Sequence, residues 1–190
     1  MTDQIYADHR PAELTSRAVA SMHAMATGTL AALEALIHPE AVNREAVDEP
    51  PAASTPGADG FWATALWLRA AFSELAFEVH EVVEARESDL VVVHNTMSGR
   101  QTGDFVMWED GQVKVVMPPT GREFASTQSH WFRFRDGLIV EHWANRDDFA
   151  TAEQLGWVPP SPVSLFRQAR ATRRARRLHA RAARAAEPVE

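Results

Sequence analysis

The chain has 190 residues, 45% of them apolar, and no cysteine. That suits one domain with a buried core and excludes disulfides, thiol nucleophiles and cysteine-ligated metals. Residues 1–162 carry 11 of the 19 basic and 24 of the 26 acidic side chains, whereas 163–190 carry eight arginines and two glutamates, and an acidic body argues against nucleic acid as the main partner.

The N-terminus lacks a basic region followed by an apolar run, and nothing approaches 18 consecutive apolar residues. The expectation is a soluble cytoplasmic protein without a transmembrane segment. From Pro11 to Ile37 apolar residues fall at helical spacing, with Gly28 as a candidate break, and "HPEAVN" (38–43) ends the helix. The proline- and glycine-rich stretch "DEPPAASTPGADG" (48–60) reads as a surface loop. A second helix is expected over "FWATALWLRAAFSEL" (61–75), after which the period becomes two. About five strands follow, with "EDGQ" and "RDGL" supplying Asp-Gly hairpin turns. Helices first and antiparallel strands after give an α+β fold, with the sheet curled around the helices as a cone.

Beyond Trp157, "VPPSPVS" breaks the chain before a strong helix former. Its Arg167, Arg170, Arg174, Arg177, Arg181 and Arg184 line one side. The division is therefore a folded domain over 1–162 and a basic helical extension over 163–190. The extension is expected to lie on its own acidic body or to contact another subunit, since its alanine face is too weakly apolar to enter a membrane.

Several segments resemble one family in the same order: "HPEAVN", "FWATALWLRAAFSEL", "MSGRQTG", "MPPTGREF", "QSHWFRFRDGLIVEHW" and "AEQLG". The chain is identified by them as similar to the SnoaL-like polyketide cyclases of the NTF2-like superfamily, over about residues 15–157. The resemblance implies a curved antiparallel sheet with helices closing one side, a buried apolar pocket, and a homodimer across the sheet. It also implies intramolecular aldol ring closure without metal or organic cofactor, driven by a strand aspartate and assisted by a histidine. The histidine falls on His130, but the aspartate's position holds Ala144. A methyl group moves no proton, so the acid/base candidates become His130, His142 and Asp147.

Alternation along "QSHWFRFR" puts His130 on the face of Phe132 and Phe134, where it could equally be a core histidine satisfied by one buried bond. Asn43, Trp62, His94, Thr96, Phe132 and Arg146 are the candidate substrate contacts. A turn for Asn43, core packing for Trp62 and an ion pair for Arg146 compete with those roles. Asp147 could instead pair with Arg146 or cap the next segment. No phosphate loop, Rossmann signature or nucleophile elbow is present, and no metal site is expected. The sequence thus points to a cofactor-free cyclase, isomerase or lyase acting on a hydrophobic, oxygenated small molecule. The alternative is a non-catalytic ligand-binding or dimeric scaffold protein.

Overall fold

The computed structural model describes residues 10–85 and 88–186, with side chains from Glu13 onward. Most of the N-terminal stretch read for a leader lies outside the described residues. The first helical segment divides at Gly28 into α1 (Arg10–Thr27) and α2 (Leu30–Glu34). A Cβ at Gly28 would meet the Cα of Ala24 at 2.6 Å, and Thr29 then caps α2 through the Ala32 N–H. "HPEAVN" does more than end a helix: Ile37–Asn43 forms β1, parallel to the last strand and at the sheet's edge, where Pro39 is tolerated. A short 3-10 turn, Pro51–Ser54, leads to α3 (Ala58–Ala71), which starts and ends earlier than its apolar spacing predicts.

The strands are β2 (Phe72–Glu84), β3 (Leu90–Gln101), β4 (Phe105–Glu109), β5 (Gln112–Met117), β6 (Glu123–Arg135) and β7 (Leu138–Arg146). One five-stranded sheet has the order β1-β7-β6-β3-β2, mixed only at its β1 edge, while β4 and β5 form a separate hairpin. The expected continuous meander is therefore interrupted. Both Asp-Gly turns adopt the left-handed pair that two-residue hairpins need: φ is 50° at Asp110 and 71° at Gly111, 53° at Asp136 and 77° at Gly137. Bulges in β2 and β7 bend the sheet over α1 and α3. The core between them includes Leu14, Met22, Phe61, Phe77, Val93, Phe132 and Ile139.

α4 (Asp148–Gln154) closes one end of the sheet. α5 (Pro162–Ala186) lies on the β4–β5 hairpin of its own chain. Thr172 Oγ1 accepts the Val116 N–H at 2.9 Å, and Arg176 donates to the carbonyls of Val113 and Lys114 at 2.8 and 2.6 Å. The extension thus contacts the body through backbone N–H and carbonyl groups of the hairpin. Among the described residues no helix is long and apolar enough to cross a membrane.

Candidate active site

Between the concave face of the sheet, α1 and α3 lies a narrow inner chamber of about 70 Å³ that includes Met22, Phe61, Phe77, Phe132, His130 and His142 in its wall. It adjoins an outer chamber of about 440 Å³ walled by Phe105, Met107, Met117 and Trp157. Glu45, Glu49, Trp67, Met97, Gln128 and Arg146 border both. Apolar walls with a few converging polar groups are the usual form of a small-molecule site.

Strand register assembles the polar groups. His130 on β6 lies opposite Ala144 and two pairs along from Phe132 opposite His142 on β7, while Asn43 at the end of β1 lies beside His142. His130 Nδ1 and His142 Nε2 are 2.9 Å apart; His130 Nε2 is 2.8 Å from Gln128 Oε1, and His142 Nδ1 is 2.9 Å from Asn43 Oδ1. Asn43 Nδ2 donates to Thr64 Oγ1 at 3.4 Å, and Thr64 donates in turn to Glu49 Oε2. One continuous chain therefore joins Gln128, His130, His142, Asn43, Thr64 and Glu49. If Gln128 Oε1 and Asn43 Oδ1 both accept, the two rings must share three N–H protons, which requires one imidazolium. Burial opposes that charge, so the neutral pair has the Gln128 amide turned, exchanging O and N, because Asn43 Oδ1 also accepts the Glu45 N–H at 3.2 Å.

Electrostatics separate the ends of this chain. Burial, then the neighbouring His142 and Arg146, hold the His130 imidazole well below the ordinary histidine range, and burial followed by Arg146 pushes His142 down to about 3. Both rings are neutral near pH 7. Glu49 is 6% exposed, and burial raises its carboxyl to about 7 against the opposing Thr64 hydrogen bond and the Arg146 charge. Arg146 pairs with Glu45 Oε2 at 3.4 Å and with Asp148 at 3.4 Å, and Glu45 Oε1 accepts the Ala144 N–H at 2.9 Å.

Of the residues singled out in the sequence, Asn43, His130, Phe132, His142 and Arg146 meet at this cavity. His94 and Thr96 do not: Val93, Asn95 and Met97 face inward, and His94 and Thr96 bond Ser129 and His80 on the other face. Trp62 packs beside the core under the guanidinium of Arg69, and Trp67 takes the cavity wall. Asp147 caps α4, accepting the Ala150 N–H at 2.9 Å, and borders neither chamber. Glu49 escaped the sequence reading because it sits in an irregular, proline-rich segment that has the composition of a surface loop. Among the described residues no three His, Asp or Glu side chains converge as a metal-binding set.

The sequence matches the family model described as SnoaL-like polyketide cyclase over residues 16–155. The chain belongs to the SnoaL-like polyketide cyclase family. Aklanonic acid methyl ester cyclase DnrD of Streptomyces peucetius is 33% identical over 136 residues, 72% of this chain and 86% of that protein. Nogalonic acid methyl ester cyclase of Streptomyces nogalater is 31% identical over 130 residues, covering 68% and 87%. Among solved structures, IdmH of Streptomyces antibioticus superposes with a TM-score of 0.56 at 28% identity, covering 75% of this chain and 98% of that one. TsrD of Streptomyces laurentii gives 0.61 at 25% identity over 77% and 96%. α5 lies beyond the matched family region.

Proposed function

We propose that this chain is a cofactor-independent cyclase that closes a ring in a hydrophobic, oxygenated aromatic polyketide by proton transfer. The observation that carries the reading is the buried chain of hydrogen-bonded side chains, Gln128 to Glu49, at the narrow end of an apolar cavity. Removing a proton beside a carbonyl and returning one to an alkoxide needs groups that exchange protons near neutrality in a water-poor site. The outer chamber supplies apolar wall for a fused-ring body. The methyl esters named for the relatives, aklanonic and nogalonic acid methyl esters, are the substrate class to test.

Neutral His130 and His142 act here as a hydrogen-bonding pair that stabilises developing enolate charge through the chain, and Arg146 at the chamber boundary favours an anionic oxygen. A second copy is proposed against the outer face of the sheet. Incubation of the purified protein with the two esters should give a mass-neutral ring-closed product, followed by chromatography and mass spectrometry, with chelator causing no loss. Recovery of bound ester chemically intact at stoichiometric protein would overturn the enzymatic reading and leave a ligand-binding protein.

A further inference from the structure

All four imidazole nitrogens of the histidine pair are engaged: two with each other, one with Gln128 and one with Asn43. Neither ring presents a free nitrogen to a substrate. On β7, Ala144 stands on the same face as His142 and opposite His130, where a carboxyl group would complete the site, and it brings only a methyl group. The nearer carboxylate, Glu45, is held by Arg146 and by the Ala144 N–H. Glu49 borders both chambers, on the segment before α3, and its link to Thr64 joins it to the histidines.

Resting on the cyclase reading above, we propose that Glu49 is the catalytic carboxyl group of this cavity, supplied by the loop before α3 rather than by the last strand. As carboxylate it takes a proton from a carbon next to a substrate carbonyl, and the C–H electron pair becomes the enolate. The enolate carbon attacks a second carbonyl carbon and forms the ring C–C bond. The C=O pair moves to oxygen as an alkoxide, which takes the proton back from the Glu49 carboxyl group. Product and substrate are isomers, and no water or redox partner is consumed.

Thr64 can follow the proton. It donates to the carboxylate; when Glu49 is protonated Thr64 accepts, and its own hydrogen turns to the Gly60 carbonyl 3.3 Å away. The charged and titratable groups around Glu49 are Arg146 and His142 from β7, His130 from β6, Arg44, Glu45 and Asp48 from its own loop, and Asp148 at the outer chamber. Burial balanced against the Thr64 hydrogen bond and then Arg146 leaves the carboxyl group titrating near pH 7, where a general base and acid is most useful.

The test compares wild type, Glu49→Gln and Glu49→Asp with the same methyl esters across pH 5–9. Gln keeps the shape and the Thr64 contact while removing the exchangeable proton. The expected result is a loss of about 100-fold or more in kcat for Glu49→Gln, with ester affinity within about threefold. Partial activity should return in Glu49→Asp, and the wild-type profile should contain an ionisation near pH 7 that Glu49→Gln lacks. Product formed by wild type and Glu49→Gln at similar rates would remove Glu49 alone and leave the cyclase reading standing. No product from the wild type would take both down together. Carbon NMR of labelled glutamate side chains gives a readout independent of turnover: absence of a carboxyl titrating near pH 7, lost in Glu49→Gln, also overturns the assignment.

Discussion

Between its ordinary value of 4.5 and about 7, Glu49 holds a proton in the folded chain that the unfolded chain has released. Stability contributed by this residue therefore falls as pH rises through that window. His142 works in the opposite sense. Below 6.5 the unfolded chain binds a proton that the folded ring refuses until about pH 3, so stability rises with pH across that range, and His130 adds in the same direction. Two histidines outweigh one carboxyl group, which places the stability maximum at about pH 6.5. Glu49→Gln should abolish the decline on the alkaline side. Denaturant unfolding should show it more stable than wild type by up to about 3 kcal/mol at pH 8, with little difference at pH 4. An equal shift at both pH values would mean that burial of the carboxyl group is not the cause. At this scale the β6 residues of the site were legible, because alternation fixes the facing of His130 and Phe132 once one apolar face is known, whereas the mixed pattern of β7 left the facing of His142 open. "VVVHNTM" carries apolar residues on both parities, so alternation could not choose a face for His94 and Thr96, and Glu49 has no periodicity to betray it.

The elements that bring Glu49 to its partners meet at Gly60. A Cβ there would lie 2.0 Å from the Thr55 carbonyl oxygen, so glycine lets the first turn of α3 rest directly on the loop that carries Glu49. Gly60→Ala must push that loop from Thr64. A cost of about 1–3 kcal/mol in unfolding free energy is expected, together with loss of ring-closing activity, and a fully active, equally stable variant would contradict this packing. The hairpin offers a second check. Thr172 is the side-chain partner of the buried Val116 N–H, so Thr172→Val should cost about 1–3 kcal/mol and speed amide exchange at Val116 before the main sheet opens. Unchanged exchange there would show that α5 does not hold the hairpin. The helix itself was plain from its arginine and alanine run. Its docking side was not, because the face that meets the hairpin carries Gln168, Thr172 and His179 rather than an apolar stripe.

Taken as a whole, the molecule buries one face of its sheet against helices, and among the described residues no other element covers the opposite face. On that outer face Trp131 and Trp143 stack at 5.9 Å with their rings nearly parallel, and the guanidinium groups of Arg44 and Arg133 lie 5.4 and 5.7 Å from the Trp143 ring. Large rings edged by paired charges are the composition of a protein interface, and a two-fold pairing would set this patch against itself. The cone was legible because helix-first order, Asp-Gly turns and strand alternation agree, whereas the parallel β1 edge came from a segment whose Pro39 conceals a strand. Sedimentation tests the proposed pairing: wild type should run at twice the 21.1 kDa chain mass, and Trp131→Glu with Trp143→Glu should run as a folded single chain. Removal of 163–190 should leave the pairing intact, since α5 spends its contacts on its own hairpin. A wild-type protein that sediments as one chain, or a dimer that survives both tryptophan changes and fails on loss of α5, would move the interface from the sheet.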